Sequence, residues 1–285
     1  MGFDRRVVRA GSFLGIGAGL LACLLFFSGS SISAQESADA PPPASAASGK
    51  GSLTAAEVVE KLGEMNLRRA QALRSYRGTR TYRVKYGNSF TTMSAEMVVE
   101  AKYAAPETKQ FTIQSSSGSK LLIDKVFTKI LKAEHEAVSA DARRSTALSS
   151  DNYDFTMVGF ERTPAQSMYV LAVEPKTKNK FLFRGRVWVD GDDFAVVRIE
   201  AEPAKNPSFW TQNSEIEQLY IKVDDFWLPE RNHSVSSIRF GGRAELTIEY
   251  QNYQITAADP VDAGAVRAIA GAAIAGNPIA LRSSR

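Results

Sequence analysis

One cysteine and two histidines are all that the 285 residues hold for thiolate or imidazole chemistry. Cys23 lies inside an apolar segment near the N-terminus, so a chain that sheds that segment has no thiol left. Disulfides, cysteine nucleophiles and thiolate metal sites are then excluded. His135 has no second histidine four residues on, and His233 stands in Arg-Asn-His-Ser on an expected strand; both read as exposed or structurally bonded imidazoles. No serine sits in a Gly-x-Ser-x-Gly elbow, and the Ser115 to Lys120 run lacks phosphate-loop spacing and reads as a turn. The acid pairs Asp192-Asp193 and Asp224-Asp225 fall where hairpins should turn, and turn formation accounts for them. This inventory predicts no enzyme, no metal and no cofactor.

Concentrated charge is also lacking. The formal charge is +4, and residues 1 to 34 hold Arg5, Arg6 and Arg9 against Asp4 alone, which leaves about +2 for the remainder. A nucleic-acid partner would need a basic face that this mixed surface does not offer.

What the chain does have begins with an export signal. Arginines, an apolar run from Gly11 to Phe27 and the small residues Ser31 to Ala34 occur in the order of a secretory leader, with cleavage expected after Ala34. Two alternatives are an uncleaved anchor and lipidation of Cys23, although Leu24, Leu25, Phe26 and Phe27 would then begin the mature tether. Residues 35 to 51 are rich in Pro, Ala and Ser and read as a linker. The folded domain is expected over 52 to 257. The Ala/Gly-rich stretch from 258 to 285 reads as a mobile tail, because Gly264, Gly271 and Gly276 weaken any helix there.

Thr54 and Glu57 have capping-box spacing, and Leu53 and Val58 the spacing of a hydrophobic staple, so a helix is predicted from Thr54. Val58, Leu62, Met65 and Leu73 give it an apolar stripe. The rhythm then changes to two, through Tyr76 to Tyr86, Met93 to Tyr103, Phe111 to Ile113, Tyr153 to Glu161, Met168 to Val173, Leu219 to Val223, Phe226 to Ile238 and Ala244 to Ile255. One interruption, from Leu122 to Val138, reads as a second helix with Glu134 on its polar side. Consecutive strands with hairpin connections and no βαβ alternation predict an antiparallel meander that curls.

Phe181 to Pro203 is the plainest hairpin. Phe181, Phe183, Val187 and Val189, then Ala195, Val197, Ile199 and Ala201, should share one face, with Arg184, Arg186 and Arg198 on the other. Aromatics elsewhere fall in the same apolar phase: Tyr82, Tyr86, Phe111, Phe155, Tyr169 and Tyr250. Burying each fully contributes about 1.5 to 3 kcal/mol, so the face needs a cover. It is satisfied either by helices that fill the concavity or by a pocket that takes an apolar ligand. On the opposite face, Arg184, Arg186 and Trp188 have the composition of a partner-binding hot spot; the plainer reading is arginine stacked on tryptophan across strands.

The order of leader, amphipathic helix and Ser75 to Gly78 strand start, followed by Phe183 to Asp190 (Phe-Arg-Gly-Arg-Val-Trp-Val-Asp), resembles the LolA-like superfamily of periplasmic lipoprotein carriers, outer-membrane receptors and RseB/MucB-type regulators. Val196 to Ile199, Pro207 to Trp210, Phe226 to Pro229 and Leu246 to Tyr250 extend the likeness, which runs from Leu53 to Ile255. It implies an α+β fold, a strongly curved antiparallel sheet or incomplete β-barrel with an N-terminal and a second helix over its concave face. It also implies a periplasmic protein that holds an acyl chain or a lipidated partner, with transient membrane contact, or one that uses the fold to bind an envelope protein. The cavity wall would then draw on Leu62 and Met65 from the helix, and on Tyr82, Tyr86 and Phe111 from the first strands. Phe155, Tyr169, Phe181, Phe183, Val187, Val197 and Ile199 would come from the middle of the chain, and Leu246, Ile248 and Tyr250 from its last strand. No residue stands out as the arginine that fastens the carrier's lid.

Overall fold

Thr54 caps the first helix as its spacing demands. Its side chain accepts from the Glu57 amide at 3.3 Å, while the Glu57 carboxylate accepts from the Thr54 amide at 2.7 Å, so two N-terminal donors are satisfied reciprocally. In this computed structural model, which describes residues 53–258 apart from 106–107, 137–139, 165, 180, 206–210 and 240, that helix is α1 (Ala55–Ala72). The expected leader, the linker and the tail past 258 lie outside the described residues, as do Pro207 to Trp210 and the side chain of His135.

Among the described residues ten strands follow: β1 (Leu73–Gly87), β2 (Thr92–Ala104), β3 (Thr108–Gly118), β4 (Tyr153–Arg162), β5 (Ser167–Pro175), β6 (Phe183–Asp190), β7 (Val196–Pro203), β8 (Thr211–Val223), β9 (Phe226–Ile238) and β10 (Arg243–Ala257). Between β3 and β4 come α2, made of Lys120–Leu122, a π-helical turn Ile123–Phe127 and Thr128–Glu136, and a short α3 (Ala140–Thr146). The strands form one antiparallel sheet in the order β3-β2-β1-β10-β9-β8-β7-β6-β5-β4, curved and open, with β3 and β4 as its edges. The fold is the expected α+β incomplete barrel.

One row across the sheet shows how the inner face is divided. Tyr82 pairs with Ile248, Ile248 with Asn232, Asn232 with Gln218, Gln218 with Ile199, and Ile199 with Val187. Both ends of this row are apolar and its middle is amide. The same holds alongside, where Ser214, Ser234 and Ser236 are buried. Ser214 and Ser236 hydroxyls lie 2.8 Å apart, and Asn232 donates to Gln218 Oε1 at 2.8 Å. Neutral groups that bond one another carry little burial cost.

The inner face therefore has two apolar halves. Val58, Val59 and Leu62 of α1 cover Leu171, Phe183, Val187, Val189, Ile199 and Ile216 on one side of the strip. Leu122, Val126, Phe127 and Ile130 of α2 cover Tyr82, Val84, Met97, Val99, Leu246 and Ile248 on the other. The π turn, closed by the Thr128 amide on the Ile123 carbonyl, lets neighbouring Val126 and Phe127 both face the sheet.

Four expectations are corrected. Leu73 is not the end of the helical stripe; it is already extended as the first residue of β1, pairs with Ala257, and packs with Phe226 and Leu228. Ser115 to Ser117 form strand rather than turn, because β2 offers them a ladder; exposed serines suit an edge strand. Val197 leaves the inner face, since Trp188 pairs with Arg198 and Val189 with Val196, and the extra residue of that bulge turns Val197 outward. Glu134 is buried rather than on a polar face, standing seven residues or about two turns after buried Phe127.

Candidate functional site

The structure sorts the residues expected to line one cavity into two filled groups. Leu62 of α1 is buried against Phe183, Val187 and Ile199, with Phe155 and Tyr169 packed on that group, while Met65 and Phe181 are half-buried. Tyr82, Leu246, Ile248 and Tyr250 are buried beneath α2, with Tyr86 and Phe111 partly covered. Val197 joins Trp188 and Val170 on the other side of the sheet.

Trp188 is buried there and offers no aromatic to a partner. The Arg198 guanidinium lies 4.8 Å from its ring centre, and its indole donates to Glu161 at 3.1 Å. Arg184 and Arg186 stay exposed and line an outer groove of about 1060 Å³ together with Glu200, Glu202, Glu215 and Glu217. His233 lies on the same face, 3.1 Å from the Thr247 hydroxyl. Among the described residues no group of three His, Cys, Asp or Glu is placed to hold a metal.

The two covers are fastened differently. Arg69, near the end of α1, donates to the carbonyls of Asp193 and Phe194 at 2.9 Å each. Those residues belong to the β6–β7 turn, where Phe194 has φ 46°, a conformation that costs a bulky residue and needs outside support. Asp193 is held in turn by Lys222 at 2.6 Å and by the Trp227 indole at 2.9 Å. The acid pair read as a simple turn is thus also the anchor of α1.

Beneath α2 the fastening is ionic and buried. Glu134 bonds Arg80 and accepts from Lys109 at 2.8 Å and from the Tyr82 hydroxyl at 3.0 Å. Arg80 is 5% exposed and Glu134 1%. The guanidinium is flanked by Tyr250 and Phe111, whose ring centres lie 5.0 and 5.3 Å away. Burial alone would raise the Glu134 carboxyl, but Arg80 and Lys109 override it and hold the group at about 2. Burial, then the Glu134 charge, pushes the Tyr82 phenol up. Sequence reasoning placed Glu134 on a polar face and passed over Arg80 and Lys109. Arg80 did carry a signal: it shares the apolar phase of Tyr82 and Val84, where a charge is out of place.

The described residues thus form an open antiparallel half-barrel with two helix-covered apolar halves. Over residues 144–253 it matches the model of a family of unknown function, DUF5686. No curated protein sequence matches it. Among solved structures 31 chains match, and the expected likeness to LolA-superfamily proteins is found there. A LolA-superfamily protein from Nitrosomonas europaea is 10% identical over 72% of this chain and 94% of its own, with a TM-score of 0.32. An outer-membrane lipoprotein-sorting protein domain from Vibrio parahaemolyticus is 11% identical over 70% of this chain and 93% of its own, at 0.34. A chain of the Pseudomonas aeruginosa MucA/MucB complex is 12% identical over 72% of this chain and 99% of its own, at 0.23. At such scores these likenesses carry no argument about ligand or partner.

Proposed function

We propose that the chain is an exported, non-enzymatic binding protein of the periplasm that takes up an acyl chain, free or on a lipidated partner, between the inner face of the sheet and α2. One observation carries this reading: α2 covers an apolar wall and is fastened to it by a buried charge cluster. A buried ion pair is a weak source of net stability, since desolvation offsets most of its attraction. Its use lies in position, because it specifies one seat for the helix. When α2 lifts, Tyr82, Val84, Met97, Val99, Leu246 and Ile248 form a strip of the chemistry that an alkyl chain fills. The side chains Val126, Phe127 and Ile130 pack on that strip.

The test is native mass spectrometry of the protein purified from its exporting host, with titration of a fluorescent fatty-acid analogue in the absence of vesicles. Co-purifying lipid, and probe binding that strengthens when Glu134→Gln leaves Arg80 without its carboxylate and loosens α2, are expected. Neither lipid nor probe binding in any form would refute the reading. A second reading, a protein-binding surface, is favoured by the outer groove, where Arg184 and Arg186 stay accessible beside glutamates. Charge reversal at both arginines that left every captured envelope partner in place would remove it.

A further inference from the structure

We propose that the end of the sheet bearing the β1–β2 turn docks on an anionic membrane surface, with Phe90 and Leu121 entering the headgroup layer. Phe90 is 96% exposed and Leu121 52%. An isolated apolar residue on a surface needs no explanation, but Phe90 is presented by a built turn. Asn88 Oδ1 accepts from the amides of Phe90 at 2.9 Å and Thr91 at 2.8 Å, and its side-chain amide donates to the Tyr86 hydroxyl at 3.1 Å. The loop spends its polar groups on itself and holds the ring out in water.

The start of α2 is at the same end. The Ser119 amide donates to the Ser94 carbonyl at 2.8 Å, and Ser94 is four residues past Phe90, roughly 13 Å along a strand. Around these two apolar groups stand cations. Lys85 pairs across strands with Ser94, Arg243 pairs with Gly87, and Lys120 and Lys125 flank Leu121; all four are exposed. None makes an ion pair among the described residues. The acids nearby are Asp124 and Glu245, so positive charge prevails. An aromatic tip with an aliphatic neighbour inside a ring of lysine and arginine is the composition that seats at a membrane interface. Among the described residues no helix is long and apolar enough to cross the bilayer, and docking from the side requires none.

The docking does not depend on the acyl-chain reading, which is measured without vesicles. The experiment uses the full chain with Cys23→Ser and a single environment-sensitive dye at Ser89→Cys, or at Asp225→Cys in the β8–β9 turn at the opposite end. A dye at the tip reports docking of that end even where the leader tethers the protein. With vesicles of phosphatidylglycerol and phosphatidylcholine, a blue shift and quenching by spin-labelled lipid are expected at position 89 and not at 225. Pure phosphatidylcholine should give little change, and raised salt should weaken the effect. Phe90→Ser with Leu121→Ser should lower the apparent vesicle affinity at least about tenfold. Neutralising Lys120 and Lys125 should lower it roughly fivefold per charge. The melting temperature of these surface variants should be unchanged. Equal shifts at both dye positions, no shift with any vesicle, or variants that bind as well as the parent would overturn the proposal. A shift at position 89 that grows with protein concentration without vesicles would also overturn it, assigning this end to self-association.

Discussion

Replacing Glu134 by glutamine removes the anion on which Arg80, Lys109 and Tyr82 converge while keeping the side-chain shape. Arg80 then stays buried between Phe111 and Tyr250 with no carboxylate to answer it. Breaking a buried pair from one side costs about 3 to 5 kcal/mol. The proton equilibrium gives a consistent magnitude: a carboxyl held at about 2 instead of 4.5 corresponds to about 3 kcal/mol of folding stability. The sign follows from the direction of the shift. The folded value is depressed, so the stabilisation is fully present above the ordinary value and is lost as pH falls from about 5 toward 2. Urea denaturation of parent and Glu134→Gln at neutral pH should differ by about 3 to 5 kcal/mol, or roughly 6 to 20 °C in melting temperature. Between pH 5 and 2 the parent should lose this increment and the variant should not. Replacing the whole cluster, with Arg80→Met, Lys109→Met and Glu134→Leu, should restore stability to within about 1 kcal/mol of the parent or above it. A loss below about 1 kcal/mol for Glu134→Gln, with parallel acid curves, would refute the reasoning.

Arg69→Ala should cost about 1 to 3 kcal/mol, because the Asp193 and Phe194 carbonyls lose a charged donor; hydrogen exchange should locate the loosening at the end of α1 and the β6–β7 turn. Gly185→Ala should be among the most damaging single changes, since φ is +148° and an added Cβ would stand 2.1 Å from the Glu200 carbonyl; yield of folded protein and circular dichroism would show it. Thr54→Ala should cost about 1 kcal/mol by loss of the capping box, read as a small shift in the urea midpoint.

Strands and their hairpins were legible because alternation and turn residues agreed, as at Phe226 to Ile238, where the read and observed strand coincide. The cap of α1 was legible for a similar reason, since Thr54 and Glu57 act locally. Misreadings arose where one residue changes the phase. The bulge opposite Val189 turns Val197 outward, and no local signal in Ala195 to Ala201 announces it. The polar strip was hidden because Ser214, Gln218, Asn232, Ser234 and Ser236 are polar on the buried side as well, so alternation could not say which face was inside. The site under α2 depended on tertiary placement: Arg80 and Glu134 are 54 residues apart, and only the packing of α2 on β1 makes them partners.

The sheet order also dictates when each half can exist. Strands β4 to β9 follow one another in the chain and pair with their sequence neighbours, so that part can assemble as a meander with short loop closures. Among the described residues β1 to β3 join it only through β10, the last of these strands in the chain. Until Arg243–Ala257 arrives, the first strands and α2 have no edge to enter. A chain cut before Arg243 would therefore keep β4 to β9 together and leave β1 to β3 and α2 without their seat.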